Sequence, residues 1–490
     1  MALFDGQEAL DDIKRVCRIS AIENNDSVIV YIIRIEVGSF FWTVRHRYSE
    51  FYELNEKLIQ QHNLEKSILP PKKLFGNHSD RFVRKRQSEL EAYLQNVIEI
   101  CQSKNQPLPV VLRKFLDFNR YEVRGITQTL SESFYHYGDS ILAAGSLFTM
   151  TPLQLSSLTE RLKLAEPTYD SEDKSKDLGH VLDFTSQLVR LHIEGSDGTI
   201  GQSNLVMNKL LFDLSCFKSV KELQVYNCDM KSLKGVGNLR STLKQLIIKN
   251  SLHNIHDVLL CDVVFWPPDD ETMSSSCWNC LESIQLRQNK IQQIDISMKL
   301  LKNVMTVDIS HNLLSEVSNL ETLPCLTNLN LSNNKIQYLD GLHTKLGNIR
   351  NLDLSSNHIV KLDGLSKLYS LESLNLSHNK IEELSEIQCL STLPCLESLK
   401  LTNNPVTTAV DYRIKTLVFF ASRISEITLD DKVATQKEKD TVAVIHAIKV
   451  SKEAKHENPL LNKPTKSTTH NVQLSSSDEQ SSHDSAGSSN

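Results

Sequence analysis

Leu281-x-x-Ile284-x-Leu286-x-x-Asn289-x-Ile291-x-x-Ile294 is the stretch on which the reading of this chain turns, because its pattern comes back five times. The asparagine recurs as Asn312, Asn334, Asn357, Asn379 and Asn404, at steps of 23, 22, 23, 22 and 25 residues. A period in this range belongs to solenoids, in which each unit is too small to bury its own apolar face and does so against its neighbours. Residues 284 and 286 alternate as in a short strand, so the leucine positions point into a shared core while the asparagine side chain bonds backbone groups at the turn.

The spacing and lettering resemble the leucine-rich-repeat family. Three degenerate copies precede the six: Leu188-x-x-Leu191-x-Ile193, Val220-x-x-Leu223-x-Val225-x-x-Cys228 and Leu243-x-x-Leu246-x-Ile248, with Cys228 in the asparagine position. From Ser251 to Asn289 the step grows to 38 residues, so chain including Trp266-Pro267-Pro268-Asp269-Asp270 loops out or covers an edge. Downstream, Tyr412-Arg413, Leu417-Val418-Phe419-Phe420 and Leu429-Asp430-Asp431 supply a cap for the last unit. The solenoid with its C-terminal cap is thus expected over 181–431 and a helix over 432–457. Beyond, 458–490 is dominated by Ser, Thr, His, Asn and Asp and reads as a disordered tail.

Function in a solenoid must lie in side chains that alternate out of the inner strands. Those positions include Tyr226, Arg287, Asp308, Asn330, Asp353, Asn375 and Lys400, a polar and nearly neutral groove suited to a protein or peptide and offering no basic track for nucleic acid.

The first quarter of the chain has a different rhythm. Val16–Ile19, Val28–Ile35 and, after Gly38, Phe41–Val44 are runs rich in β-branched and aromatic residues that read as a three-stranded meander. Phe51, Leu54 and Leu58 then mark an amphipathic helix, Leu90, Tyr93, Leu94 and Val97 a second, and Val111, Phe115 and Leu116 a third. Strands followed by helices make an α+β domain over 12–120. Between the two units, 121–180 reads as a link: two helices, about Ile126–Ala143 and Thr151–Leu164, and a flexible charged run, Asp170–Asp177.

Within the first unit, Arg45-His46-Arg47-Tyr48-Ser49-Glu50-Phe51, then Leu69-Pro70-Pro71-Lys72-Lys73, then Arg86 four residues before Leu90 resemble the phox-homology (PX) family. That resemblance implies phosphoinositide binding, with Arg47 on the 3-phosphate, Tyr48 under the inositol ring, Lys72 on the 1-phosphate and Arg86 on the ring hydroxyls. It places Leu74 and Phe75 where the family inserts apolar side chains into the bilayer. A guanidinium grips a phosphate with two parallel bonds where lysine acts as a point charge, which is why the arginine positions matter most. His46 stands where many members carry a second arginine.

The order of modules, with Leu342–Ile349 and Asp411-Tyr412-Arg413 as local matches, resembles the nischarin family over 12–455. This implies recruitment to phosphatidylinositol 3-phosphate membranes of early or recycling endosomes. It also implies protein partners such as an integrin α-subunit tail, Rac-type GTPases and p21-activated kinases, in signalling that restrains cell migration. Members of that family usually continue through a long acidic region absent from these 490 residues, so imidazoline binding is not implied. The alternative is a sorting-nexin-like trafficking protein that holds cargo on its repeats.

Composition agrees with a cytoplasmic, peripherally attached adaptor. Residues 1–120 carry 18 Lys and Arg against 16 Asp and Glu, a charge of +2, and the remainder 36 against 44, or −8, so the two parts face different partners. Neither a signal peptide nor an apolar run near the ~20 residues of a spanning helix is visible. The ten cysteines lack framework spacing and read as buried thiols; Cys277-Trp278-Asn279-Cys280 reads as two ordinary thiols. Gly195, Gly198 and Gly201 precede no Gly-Lys-Ser/Thr and read as a turn-rich loop. No catalytic constellation, metal site or cofactor motif is found, and a homo-oligomer is compatible with the repeats.

Overall fold

The computed structural model describes residues 15–25, 28–62, 68–72, 79–103, 108–164, 174–263 and 276–457. Strands β1 (Arg15–Asn25), β2 (Val28–Val37) and β3 (Phe40–Arg47) form the antiparallel meander, with Gly38 at φ 56° in the tight turn between β2 and β3. Alternation puts Tyr31, Ile33, Ile35, Trp42 and Val44 on one buried face. Helices α1 (Tyr48–His62) and α2 (Asp80–Ser103) cover it with Phe51, Leu54, Leu58, Leu90, Tyr93, Leu94 and Val97. Two short helices, α3 (Val110–Phe115) and α4 (Phe118–Tyr121), close the end.

The span 121–180 is not a link. Helix α5 (Val123–Ala144), strand β4 (Phe148–Met150), helix α6 (Pro152–Leu162) and helix α7 (Gly179–Gln187) build the N-terminal cap of the solenoid. β4 pairs in parallel with β5 (Arg190–Glu194), Phe148 opposite Leu191 and Met150 opposite Ile193, so the repeat sheet begins about forty residues before the first repeat-like sequence. Phe134, Phe148 and Phe184 stack inside this cap, the closest pair with centroids 3.9 Å apart. Of the charged run, Asp170–Asp173 lies outside the described residues; Lys174–Lys176 is a single helical turn tied by Lys176 to Glu132.

Beyond β5 the sheet takes in β7 (Glu222–Tyr226), β9 (Gln245–Lys249), β10 (Ser283–Gln285), β11 (Thr306–Asp308), β12 (Asn328–Asn330), β13 (Asn351–Asp353), β14 (Ser373–Asn375), β15 (Ser398–Lys400) and β16 (Thr428–Leu429) in parallel. A minor pair, β6 (Phe212–Asp213) with β8 (Leu233–Lys234), lies on the outer side. Short helices fill the return segments: α8 (His256–Leu259), α9 (Leu342–Lys345) and α10 (Leu384–Gln388). The long step contains α8; Trp266–Asp270 lies outside the described residues. Trp278 is fully buried and donates to the Leu259 carbonyl at 3.2 Å.

Each repeat asparagine works as the spacing predicts. Asn334 accepts from Leu314 N–H at 3.0 Å and donates to the carbonyls of Ile309 and Leu331 at 3.0 and 2.9 Å, joining two units. After the last unit, helix α11 (Tyr412–Phe419), strand β17 (Lys432–Val433) and helix α12 (Gln436–Glu457) form the cap, where Arg413 bonds Glu438 and the carbonyls of Leu429, Lys432 and Val433. The tail 458–490 lies outside the described residues. Of the cysteines expected to be buried, Cys325 and Cys395 are exposed, while burial, with Glu91 nearby, pushes the Cys17 thiol to about 12.

Candidate phosphoinositide site and partner groove

Arg47 ends β3 and Tyr48 starts α1, so a strand-to-helix junction sets both side chains at one mouth. The Glu50 carboxylate reaches back across the first turn to accept from Arg47 N–H at 2.7 Å, fixing that junction as a helix cap does. The Arg47 guanidinium is exposed and has no carboxylate partner among the described residues. Tyr48 donates its hydroxyl to the Pro70 carbonyl at 2.5 Å, which ties the proline loop to the junction. Burial raises its phenol above the ordinary value against the pull of Arg86, so the hydroxyl stays a donor.

Arg86 is the most constrained member. Only 5% exposed, its guanidinium lies between two rings, 4.2 Å from the Tyr48 centroid and 4.3 Å from that of Phe82, and it donates to the Pro71 carbonyl at 3.4 Å. It has no carboxylate partner among the described residues. Lys72, next to Pro71, is exposed. Tyr48 and Arg86 are therefore linked through the Pro70-Pro71 carbonyls, with Arg47 and Lys72 next to them along the chain, whereas Leu74 and Phe75 lie outside the described residues.

His46 turns inward. Its ring stacks on Phe115 at 3.8 Å, with Nε2 2.6 Å from the Phe115 carbonyl and Nδ1 3.1 Å from Glu50. This position seams the sheet to α3 and takes no part in the mouth. Sequence reasoning missed Phe82 and Tyr31. Phe82 precedes Arg86 by four residues on α2, the spacing that stacks side chains on one helix face, and that signal was available. Tyr31, whose phenol burial raises and Arg86 pulls down, comes from β2 and has no local signature.

On the inner face of the solenoid, Arg287, Asp308, Asn330, Asp353, Asn375 and Lys400 line one groove of about 390 Å³ over β10 to β15. Strand register stacks Asp308, Asn330, Asp353, Asn375 and Lys400 in a single row. Each of the four Asp and Asn residues accepts from the N–H of a serine two residues on, Ser310, Ser332, Ser355 and Ser377, at 2.9–3.1 Å. The floor is thus rigid and built of small side chains, open to a chain laid across it. Tyr226 is not in this groove. It belongs to an upstream stretch whose groups satisfy one another: its hydroxyl donates to Gln224, Lys249 sits 4.6 Å over its ring, and Arg190 pairs with Glu222 at 2.7 Å.

Comparison with known proteins agrees with both modules. The model of the PX domain matches residues 37–119, and a leucine-rich-repeat model matches residues 330–457. The chain is an N-terminal PX domain followed by a leucine-rich-repeat region. Curated relatives include human kinesin-like protein KIF16B, 34% identical over 108 residues that make 20% of this chain and 8% of that protein. The mouse PX domain-containing protein kinase-like protein is 37% identical over 121 residues, 24% of this chain and 20% of that one. Mouse sorting nexin-16 is 32% identical over 110 residues, 21% and 31% respectively. The chain spans less than a third of the length of each of these relatives. Among solved structures, an internalin from Listeria monocytogenes is 18% identical with a TM-score of 0.35, covering 53% of this chain and 71% of that one. Among the described residues no helix is long and apolar enough to cross a membrane, and no group of three or more His, Cys, Asp or Glu is placed to hold a metal.

Proposed function

We propose that this protein is a peripheral adaptor without catalytic activity or cofactor, which docks on endosomal membranes through its PX domain and presents the inner face of its repeats to a protein partner. The observation that carries the reading is Arg86, a residue more than nine-tenths buried whose guanidinium lies against two rings and one carbonyl with no carboxylate beside it among the described residues. A buried cation is costly without an anion, and Arg47 and Lys72 stand unneutralised at the same mouth, so the site is built to receive a multiply charged, ring-shaped headgroup. The PX match and the four filled positions support phosphatidylinositol 3-phosphate as that headgroup.

The finer reading, on the resemblance to the nischarin family, is a signalling scaffold of early or recycling endosomes that engages an integrin α-subunit tail, Rac-type GTPases and p21-activated kinases. A sorting-nexin-like trafficking role, with cargo on the repeats, is the second reading, favoured by the match to sorting nexin-16. Flotation with vesicles carrying each phosphoinositide tests the shared step. Binding selective for 3-phosphorylated lipid and lost in Arg47→Ala is the expected result; equal binding by wild type and Arg47→Ala would remove the pocket assignment. Partners recovered from purified endosomes separate the two readings, since cargo receptors alone would defeat the signalling one.

A further inference from the structure

The glycine-containing loop after β5, which carries no phosphate motif, has a definite occupation in the structure. Thr43 N–H donates to the Gln202 carbonyl at 2.9 Å and Asn204 N–H to the Phe41 carbonyl at 3.2 Å, with Trp42 opposite Ser203 in an antiparallel bridge. The Asn204 side chain accepts from Phe41 N–H at 2.9 Å and donates to the Ser39 carbonyl at 3.1 Å. β3 is an edge of its three-stranded sheet, so a piece of the solenoid supplies that edge with a short fourth strand.

This loop is itself held at its base. Thr199 bridges Val206, Ile200 N–H donates to the Leu205 carbonyl at 2.8 Å, and Leu205 is fully buried. Gly201 sits at φ 55°, and a Cβ there would lie 2.6 Å from the Tyr121 hydroxyl, so a side chain would be strained and would displace Tyr121. Tyr121 stacks on Trp42 at 5.3 Å, and Trp42 donates to the Leu116 carbonyl at 2.7 Å. Strap, α4 and β3 thereby interlock around one buried tryptophan. A second tie is Arg15 to Glu122 at 2.9 Å, both nearly buried.

We propose that Thr199–Val206 is a docking strap that locks the PX domain and the repeats into one rigid body, so that lipid engagement fixes the attitude of the partner groove at the membrane. β3 runs without interruption from the clamped residues Phe41–Thr43 to Arg47, and Tyr48 follows at once as the first residue of α1. The membrane half of this inference rests on the lipid reading above; the rigid coupling does not.

Two measurements on the full chain test it. Hydrogen exchange should find the β3 amides protected in wild type and in Gly198→Ala, where a Cβ meets only the Ser196 hydroxyl at 3.5 Å. In Gly201→Ala and in the milder Asn204→Ala those amides should exchange on the order of tenfold faster while repeat amides keep their protection, which shows that the solenoid is folded. Neutron reflectometry on a bilayer containing phosphatidylinositol 3-phosphate should then give one sharp protein profile for wild type and a broadened one, at similar adsorbed amount, for the strap variants. Unchanged β3 exchange in both variants overturns the coupling. A wild-type profile as diffuse as theirs overturns the fixed attitude. Failure of wild type to adsorb removes the lipid reading and the membrane half with it, leaving the exchange result to decide the coupling.

Discussion

Arg86 shows how much of a binding site can reside in one side chain's surroundings. A planar cation between Tyr48 and Phe82 is held by ring faces and a carbonyl, none of which competes with an anion for its charge. Lysine would keep the charge but lose the plane that the two rings grip. Desolvated cation–π contacts are worth roughly 0.5–2 kcal/mol, so Arg86→Lys is expected to bind 3-phosphoinositide vesicles about tenfold more weakly. Flotation beside a thermal melt checks this, and a lysine variant that binds like wild type would show the sandwich to be ornamental. The same logic explains why His46 does not stand in for an arginine: its ring is spent on Phe115 and Glu50, one residue and one strand face away from the mouth.

At the scale of the repeat, the asparagine ladder and the residue before it act together. Gln288, His311, Asn333, Ser356, His378 and Asn403 all adopt φ between 55° and 60°, which turns the chain so that the following asparagine faces inward. Asn357 is 3% exposed, accepts from Ile336 N–H at 3.1 Å and donates to the carbonyls of Leu331, Leu354 and Ser355. Asn357→Ala orphans buried backbone groups at about 1–3 kcal/mol each, so a loss of roughly 2–4 kcal/mol is expected in denaturant unfolding. A shift under about 0.5 kcal/mol would mean that water replaces the amide. The C-terminal cap depends on pH through Glu438. Burial raises its carboxyl, but bonds from Thr435 N–H, Arg413 and the Thr435 hydroxyl outweigh that and leave it below the ordinary value. A depressed folded value means that the stabilisation is complete above the unfolded value, about 4.3, and is lost as pH falls through the folded one. The exchange protection of α12 should therefore fall below about pH 4 in wild type, and Glu438→Gln should be weaker at neutral pH with no such acid limb. The ladder was legible because six asparagines recur at one spacing. Thr435-x-x-Glu438 was legible in principle as a helix start, since the threonine hydroxyl and glutamate carboxylate exchange bonds across the first turn. The left-handed residues were not, because glutamine, histidine, serine and asparagine share no side-chain property that announces the conformation.

The whole molecule differs from the picture of two modules on a tether. Charge divides as the sequence suggests, yet the strap and the Arg15–Glu122 pair join the modules directly, and one apolar core runs from Cys17 to Val442. Sequence could not show this, because the strap's partner lies some 160 residues upstream and pairs through backbone groups, which carry no residue code, and through one asparagine side chain that itself bonds only backbone. The N-terminal cap was hidden for a related reason: β4 is three residues long, too short for a periodic pattern, and its place beside β5 is decided by the phenylalanines behind it. Fragment boundaries follow. A fragment 181–457 begins inside α7 and loses α5, α6 and β4, which leaves Leu188, Leu191 and Ile193 on an open edge; it is expected to aggregate. A fragment 122–457 keeps the cap and is expected to fold as a monomer. A fragment 1–120 retains the meander and its helices but loses Glu122, which pairs with Arg15, and Tyr121 and the strap, which pack against and pair with the PX domain's single tryptophan. Trp42, 1% exposed in the whole chain, should then emit at longer wavelength in 1–120 than in full-length protein in which Trp266 and Trp278 are replaced by phenylalanine. Identical emission from the two, with equal melting temperatures, would mean that the PX domain is complete without the repeats and that the junction is only a contact.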